Sequence, residues 1–340
     1  MEVLNILNPG NELFTKAALT GWVNKQPFVP EYLAKWLPWN VEGETLRQLI
    51  IEFNEGSLAL IPEAKPGSPG YSPDDDDRTA VSVAVPHFPM RKTLLATEFE
   101  GVRAIGSDLL ETVEDKRNKV LAILNRYNRA IWEVARMGAI SGLVIGHNGQ
   151  VRHNWFNTFK DVDGQNLQRT VKTIDFNSGN TKLRSELIDA RDLSEEKLGD
   201  LSATGYVAIC GKNRFKSITD HPSFEKMFER YNDGQYLRDN LGIDGFQVAS
   251  DITVVKYGRS KIGNITVIGD DDMFLCPRAE GMYQGRMAPG TGMADLGTTG
   301  LPEYVSSKIL DHDEGIEMKG QTNPLFWVER LEAIVKIEQE

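Results

Sequence analysis

The longest regular pattern in the chain is a helical one between residues 108 and 141. Asp108 lies three residues before Glu111, which is the spacing of a capping box at a helix start, and Gly142 is a suitable stop. The apolar positions in between follow the three–four spacing of one helix face: Leu110, Val113, Val120, Leu124, Tyr127, Ile131, Val134 and Ala135. About 34 residues at 1.5 Å each predict a helix on the order of 50 Å long. Such a helix needs an extended body to lie along.

Apolar-rich runs predict β structure on the N-terminal side of this helix. Residues 45–62 are predicted to form a hairpin in which the runs LRQLIIEF and SLALIP are joined by a turn at Gly56, because glycine supplies the positive φ that such a turn needs. A loop rich in proline, glycine and aspartate follows, and residues 79–88 then alternate with the period of a strand. Residues 41–100 are therefore predicted to be extended β structure with little material for a core of its own.

The patterns on the C-terminal side of the helix are mixed. An Asn-Gly pair at 148–149 between two apolar runs predicts a hairpin. Further on, RSELIDARDLSEEKL and HPSFEKMFERY have the periodicity of helices, whereas TGYVAICG, FQVASDITVVKYG, NITVIGDDDMFLC and the terminal AIVKIEQ have that of strands. A long helix combined with mainly antiparallel strands predicts an α+β fold, not a doubly wound parallel sheet.

The first 40 residues are predicted to be an arm. Prolines between residues 26 and 40 prevent a long helix there, because proline lacks the amide donor and restricts the residue before it. Trp36 and Trp39 nevertheless make this stretch strongly apolar. The segment must lie on another surface, and the chain's own domain and a neighbouring chain are equally good candidates.

Composition narrows the class of protein. The 340 residues leave room for about two domains, and 40% hydrophobic with 26% charged residues is ordinary for a folded protein. No apolar run approaches the roughly 20 residues of a membrane span. The two cysteines, Cys210 and Cys276, form no disulfide framework and fit no zinc spacing, which indicates a reducing compartment.

The net charge of −11 argues against a protein that binds nucleic acid tightly. Affinity for a duplex comes mainly from basic residues that neutralise phosphates, so a sequence-specific binder with this balance needs a concentrated basic stripe. The densest basic stretch is interrupted by acidic and apolar residues, and we predict that it is the solvent-exposed face of the long helix. Its basic residues are Lys116, Arg117, Lys119, Arg126, Arg129 and Arg136.

The best candidate for enzyme chemistry is the segment 205–213, GYVAICGKN. A phosphate loop has four residues between its glycines and a serine or threonine after its lysine. Here five residues of strand character separate Gly205 from Gly211, and Asn213 follows Lys212. A strand followed by a turn is the favoured interpretation, and a soluble nucleotide-using enzyme with a degenerate phosphate loop stays as the alternative.

No set of residues predicts a metal or catalytic site. The five histidines form no HExxH motif, and no two of them lie three or four residues apart. His147 and His153 face each other across the predicted hairpin but lack a third ligand. The acidic runs at 74–77, 270–272 and 311–314 lie in loops or at strand ends, where solvated acids are common. We predict no catalytic, cofactor-binding or metal-binding residue, and no cofactor.

The sequence features together suggest a protein that functions through contacts with other protein chains. These features are an arm, an extended β segment, a very long helix and the lack of a reactive site. Open arms and unpaired strands expose backbone groups unless a partner covers them, and repeated contacts between copies satisfy this need. The chain is therefore predicted to be a lattice-forming subunit. A small closed homo-oligomer that serves as a binding module is a further alternative.

Several stretches resemble the major capsid proteins of tailed phages, specifically the lambda-like capsid E family. Residues 86–108, PHFPMRKTLLATEFEGVRAIGSD, are similar to the family's end of the extended loop and start of the spine helix. Residues 131–151, IWEVARMGAISGLVIGHNGQV, resemble its helix end and hairpin, and the tail from Ile316 resembles its closing asparagine-proline segment and last strand. The proline/glycine stretch at 62–70 is also similar. The resemblance covers most of residues 45–340.

The resemblance implies the tailed-phage major capsid fold of the Hong Kong phage type, an α+β fold. It implies a major capsid protein, not an enzyme, whose hexamers and pentamers form an icosahedral shell around double-stranded DNA. The implied division is an N-terminal arm over 1–40, an extended β loop over 41–106, a peripheral domain over 107–180 and 316–340 with the spine helix at about 108–141, and an axial domain over 181–315.

The resemblance also implies partners and a location. The chain is expected to contact further copies of itself, a scaffolding protein and a portal, and families of this kind often add a decoration protein at three-fold sites. Packaged DNA is expected on the inner face without sequence-specific binding, and the net charge of −11 suits a wall that confines DNA without adhering to it. The expected location is the virion, after assembly in the host cytoplasm and without a membrane.

Overall fold

A computed structural model describes residues 16, 19–20, 32–53, 79–99, 113–146, 148–159, 165–224, 245–258 and 261–340. Its main helices are α1 Tyr32–Trp36, α2 Val113–Ile140, α3 Trp155–Thr158, α4 Leu183–Glu196 and α5 Lys212–Thr219. Short 3₁₀ turns cover Ala96–Phe99, Met293–Asp295, Asp311–Asp313 and Leu331–Ala333.

The strands fall into several sheets along the chain. Their bounds are β1 Trp39–Gly43, β2 Gln48–Phe53, β3 Thr79–Ala84, β4 Phe88–Leu95, β5 Leu143–Ile145, β6 Val151–Asn154, β7 Val171–Ile174, β8 Ala203–Cys210, β9 Gly245–Gln247, β10 Ile252–Lys256, β11 Lys261–Ile262, β12 Ile265–Thr266, β13 Met273–Ala279, β14 Tyr283–Met287, β15 Tyr304–Ile309, β16 Gly315–Thr322, β17 Pro324–Val328 and β18 Val335–Gln339.

Helix α2, the spine helix, lies within the predicted range and has 28 residues, which gives a length of about 42 Å. Glu114 and Asp115 lie in its first turn, where carboxylates complement the positive end of the helix dipole. Gly142 has a φ of 72° just after the helix end, as expected of a glycine that terminates a helix. None of the helices in the described residues combines the length and hydrophobicity that crossing a bilayer requires.

The two halves of α2 pack in two different cores. Leu121 and Leu124, in the N-terminal half, are fully buried against the sheet β15-β16-β4. The C-terminal half, from Trp132 to Ile140, enters the main core together with β17. The spine helix therefore joins two otherwise separate hydrophobic cores.

The largest sheet in the described residues is six-stranded and mixed, with the order β7-β18-β13-β8-β10-β9. Along β8, Val207 and Ile209 face the main core, whereas Ala208 and Cys210 face a second core covered by α4 and α5. A strand buried on both faces is apolar without alternation. This explains the continuous apolar run TGYVAICG.

The remaining strands form smaller sheets. β1-β14-β17 and β15-β16-β4 are three-stranded, and β2–β3, β5–β6 and β11–β12 are two-stranded. The pairs β1–β14, β8–β10 and β7–β18 are parallel, and the other described pairs are antiparallel. The α+β class predicted from the sequence is confirmed, as is the hairpin at Asn148-Gly149.

The prediction that the basic residues of α2 face solvent is wrong for several of them. Lys116, Arg117 and Arg136 are buried, and Tyr127, which was predicted to lie on the apolar stripe, is 52% exposed. The physical reason is that α2 contacts α1 as well as β5, β16 and β17. A single-stripe pattern describes a helix with one covered face, and this helix is covered on more than one side.

The structure bears on two predictions about the N-terminal third, the hairpin at 45–62 and the arm at 1–40. β2 pairs with β3, with Phe53 opposite Thr79, while the predicted partner run 57–62 and its turn lie outside the described residues. Within the predicted arm, Leu33 and Leu37 are buried in the main core. The apolar segment that ends this arm therefore packs on its own chain.

The six-stranded sheet has a consequence for the predicted domain division. β7 and β18, which were assigned to the peripheral domain, lie in one sheet with β8, β10 and β13 of the predicted axial domain. The terminal run AIVKIEQ returns to a sheet as expected. The division into peripheral and axial domains stays a prediction, and any boundary between them must pass through this sheet.

Candidate assembly surfaces

A buried carboxylate fastens three elements together on the spine helix. The Oε1 atom of Glu133 accepts hydrogen bonds from the backbone amide of Leu33 in α1, at 3.1 Å, and from the hydroxyl of Tyr257 after β10, at 3.0 Å. Glu133 is 6% exposed, and its burial raises its pKa to about 7 against the opposing effect of these hydrogen bonds. The N-terminal segment and the large sheet are thus both tied to α2.

Arg136, one turn further along α2, binds the first strand through aromatic rings. Its guanidinium carbon lies 4.9 Å from the ring centroid of Phe326 and 5.8 Å from that of Trp39, within the range of cation–π attraction. The ring of Trp39 in turn contacts that of Tyr283 at 5.1 Å. Burial lowers the pKa of Arg136 to about 9, so the side chain is still charged at neutral pH.

A groove of about 680 Å³ lies between α2 and the segment that leads into β1. Glu303 is one of its lining residues, accepts a hydrogen bond from Asn128 Nδ2 at 2.9 Å, and has a pKa that burial raises to about 7. The described lining residues include no serine, cysteine, histidine or lysine. They therefore contain no pair of a serine or cysteine with a histidine.

The ribbon β2–β3 presents one buried face and one open face. Leu49, Ile51 and Val83 are buried against the main core, whereas Ile50, between the first two, is 70% exposed. The guanidinium of Arg47 donates a hydrogen bond to the carbonyl of Gly290 and so anchors the root of the ribbon. A two-stranded ribbon is marginal by itself, so its order depends on the core below and leaves the outer face available to a partner.

The candidate phosphate loop is occupied by the chain itself. The strand predicted there is β8, and it leads directly into α5. Gly211 N donates to Asp272 O at 2.9 Å, and the amides of Asn213 and Arg214 both donate to Asp270 O, at 2.9 and 3.1 Å. These are the amides that would have to bind a phosphate at the start of the helix. The geometry therefore argues against nucleotide binding at this place.

The other candidate residues do not form a site within the described part of the chain. No group of three or more His, Cys, Asp or Glu side chains is arranged there to hold a metal ion. His153 shares a hydrogen bond with Thr158 Oγ1 at 2.7 Å, and His147 lies outside the described residues. Asp272 Oδ2 accepts the amide of Gly269 at 3.0 Å, and the acids of 311–314 are exposed.

The two cysteines are structural. Cys210 and Cys276 are both buried, and they lie in the two different cores on opposite faces of the large sheet. Burial raises the pKa of the Cys276 thiol to about 12 and that of the Cys210 thiol still further above its usual value. Neither is a reactive thiolate at neutral pH.

Comparison with known proteins connects this architecture to a family. The sequence model of the family described as Phage major capsid protein E matches residues 15–339. The chain belongs to this family. It is 24% identical over 315 residues to the major capsid protein of Pseudomonas phage KPP10. The aligned region covers 84% of this chain and 85% of that protein. The chain is therefore a major capsid protein, a structural component of a phage virion and not an enzyme.

Solved structures show the same fold. The putative capsid protein of a prophage of E. coli CFT073 has a TM-score of 0.59 at 13% identity and covers 96% of this chain and 99% of its own. A phage-related protein from Bordetella bronchiseptica RB50 has a TM-score of 0.53 at 11% identity, with 96% and 97% covered. The satellite phage P4 procapsid including size determination (Sid) protein gives 0.50 at 10%, with 95% and 90% covered. The capsid fold predicted from the sequence is confirmed.

The buried polar groups of α2 are what sequence reasoning missed. Glu133 lies in the stretch 131–151 that resembles the family, and the sequence pattern predicts that Arg136 faces solvent. A signal was present, because both residues lie within the largely apolar run that includes Trp132, Met137 and Ile140. Charged residues inside such a run indicate buried, partnered side chains.

Proposed function

We propose that the capsid subunit forms the hexamers and pentamers of an icosahedral shell that encloses double-stranded DNA. The observation that carries the proposal is the ribbon β2–β3, whose buried face rests on its own core while Ile50 on the other face is 70% exposed. In a family of major capsid proteins, an ordered ribbon that keeps a large apolar side chain on its open face is well suited to contact between neighbouring copies.

The proposed division of labour follows the domain prediction. The extended loop over 41–106 contacts a neighbour, the peripheral domain carries α2, and the axial domain packs around five-fold and six-fold centres. Within the arm proposed for 1–40, α1 and the start of β1 pack on the subunit itself. We therefore propose that only the residues of the arm before α1 reach a neighbouring subunit. The mixed sheet that holds β18 and β13 supports a rigid connection between the two domains.

The proposed partners are a scaffolding protein, a portal and, where the phage has one, a decoration protein. DNA is proposed to lie against the inner wall without being bound tightly or sequence-specifically. The net charge of −11 supports this, because a negatively charged protein repels phosphates. Lysine substitutions on the inner face should therefore impair packaging. Packaging at the normal level in such variants would contradict this part of the proposal.

The experiment that tests shell assembly is negative-stain electron microscopy of the expressed chain, with and without its scaffolding protein, together with sedimentation. Particles of tens of nanometres are expected. A single small oligomer under all conditions would contradict the proposal. Lys212→Ala is the matched control, because it should leave particles unchanged, whereas an enzyme that used this lysine for a nucleotide would lose activity.

A further inference from the structure

Exposed large apolar side chains recur in two stretches of the chain that are hydrogen-bonded to each other. Ten large apolar side chains are exposed in the described residues, and six of them belong to two neighbouring stretches, 41–50 and 293–301. A backbone hydrogen bond joins these stretches, because Gly300 N donates to Glu44 O at 2.8 Å. Arg47 also donates to the carbonyl of Gly290, just before the second stretch. The six side chains are Val41, Leu46, Ile50, Met293, Leu296 and Leu301.

The loop between β14 and β15 is held in one conformation by Asp295. This residue is 6% exposed, and its carboxylate accepts hydrogen bonds from Lys16 Nζ at 2.5 Å and from Gly292 N at 3.1 Å. Its backbone carbonyl accepts a hydrogen bond from Thr298 Oγ1 at 2.8 Å. A loop rich in glycine is thus fixed at its centre by a half-buried ion pair and by the backbone around it.

Two large side chains project from this fixed loop, and we call Met293 and Leu296 the apolar knob. Met293 is 88% exposed and Leu296 is 67% exposed. Met293 begins a 3₁₀ turn, and Leu296 is the residue that directly follows it. Ordered apolar side chains that remain in water are typical of a docking surface and not of a monomer's exterior.

The chemistry around the knob selects a protein partner. The stretch 288–301, APGTGMADLGTTGL, contains a single charged residue, Asp295, and its carboxylate is buried and paired with Lys16. The cations next to this stretch are already bound to it: Lys16 pairs with Asp295, and Lys319 Nζ donates to Thr291 Oγ1 at 3.4 Å. Arg47 likewise donates to the carbonyl of Gly290. Few positive charges are left to neutralise phosphates, so DNA is a poor ligand for this stretch. Methionine adapts its shape readily to an apolar partner, and leucine adds apolar area beside it.

We propose that the apolar knob docks on a second copy of this chain. The inference rests on the proposed function, since a subunit of a shell contacts identical neighbours over much of its surface. A second reason is that the loop carrying the knob is bound to the root of the ribbon β2–β3, through Gly300 N to Glu44 O and Arg47 to the carbonyl of Gly290. Leu46 and Ile50 are exposed on that ribbon and its root. Burial of the knob against a neighbour contributes to the free energy of assembly and not to that of folding.

The first test compares a double variant with a matched control. Met293→Ser combined with Leu296→Ser removes the knob, and Val151→Ser combined with Val171→Ser alters side chains that are 55% and 45% exposed elsewhere. Both variants should keep the circular dichroism and melting temperature of the unchanged chain. The knob variant should lose at least tenfold in assembled fraction by sedimentation, and the control should assemble normally.

The outcomes separate the two proposals. If the unchanged chain forms no particles, the proposed function fails and the inference falls with it. If the unchanged chain and the knob variant assemble equally well, only the inference is overturned. A knob variant that is unfolded would also overturn it, because the knob would then stabilise the subunit itself.

The second test identifies the occupant directly. A photoreactive benzoylphenylalanine in place of Met293 is irradiated in purified particles, and the crosslinked bands are analysed by mass spectrometry. The proposal expects a dimeric product in which every peptide comes from this chain. Crosslinks to a different protein, or no crosslink in intact particles, would overturn it.

Discussion

Glu133, Arg136 and Glu303 are ionisable groups that folding removes from water. Burial raises the pKa of each carboxyl to about 7 and lowers that of Arg136 to about 9. The charged forms of these carboxylates are therefore costly near neutral pH, although hydrogen bonds from Tyr257 and Asn128 offset part of the cost. Their effect on stability must depend on pH.

The pH dependence of stability should change when Glu133 is replaced by glutamine. Its pKa is raised from 4.5 to about 7 in the folded subunit. Between these two pH values, the folded state therefore binds more protons than the unfolded state. The contribution of Glu133 to stability is present below pH 4.5 and is lost as the pH rises through 7, a change on the order of 3 kcal/mol. In Glu133→Gln, urea unfolding at pH 5 to 8 should show a flatter profile. A profile parallel to that of the unchanged chain would count against this account.

The turn between β15 and β16 contains two residues in the left-handed region. His312 and Asp313 have φ values of 60° and 57°, which are unfavourable for residues that carry a Cβ atom. We expect Asp313→Gly to raise the free energy of unfolding by about 1 kcal/mol and Asp313→Val to lower it. Thermal unfolding should rank the variants Gly, Asp, Val in falling stability, and the reverse order would contradict the conformation of this turn.

The spine helix is an element that is shaped by its neighbours. Its N-terminal half packs on one sheet, and its C-terminal half carries Glu133 and Arg136 into contact with α1, β1 and β17. Close packing on β5 is possible because position 138 has no side chain. A Cβ atom on Gly138 would lie 2.7 Å from the carbonyl oxygen of Leu143.

The substitution Gly138→Ala sets helix propensity against packing. Alanine favours a helix by about 1 kcal/mol relative to glycine, but the added methyl group would overlap backbone atoms, and overpacking costs about 1–3 kcal/mol. We expect the cost of overpacking to exceed the gain in helix propensity, so that Gly138→Ala unfolds at a lower urea concentration. Arg126→Ala, at an exposed position of the same helix, is the control and should change stability by less than about 0.5 kcal/mol. A stabilised Gly138→Ala would show that helix and hairpin are not in close contact.

At the scale of the whole molecule, folding and assembly use different surfaces. The three hydrophobic cores hold the subunit together, whereas the open face of the ribbon and the apolar knob contribute little to them. This separation means that variants can fold without assembling. It is expected of a protein that must remain a subunit before it becomes a shell.

Deletion of residues 65–77 tests this separation. The register Phe53 opposite Thr79 closes the ribbon, and after the deletion twelve of the 25 intervening residues remain, more than a hairpin connection needs. The subunit should therefore fold with an unchanged melting temperature but assemble poorly, as measured by sedimentation and microscopy. Shells formed in normal yield would refute an assembly role for this segment.

The elements that sequence reasoning located correctly are those set by local chemistry. The helix around Leu121 and Leu124 follows from three–four periodicity and its stop from Gly142, and the hairpin at Asn148-Gly149 follows from the turn residues. The resemblance to the capsid family was also visible in short blocks of sequence. Each of these signals lies within a few residues of the feature that it predicts.

What only the tertiary structure decided is which distant parts meet. Glu133 and Leu33 are 100 residues apart in the chain, β18 enters the sheet between β7 and β13, and Arg136 is enclosed by rings from β1 and β17. Periodicity reports that a side chain has a covered face but not what covers it. Burial of the charges on the spine helix and exposure of the apolar knob depend on those long-range contacts, and for that reason they appear only in the folded molecule.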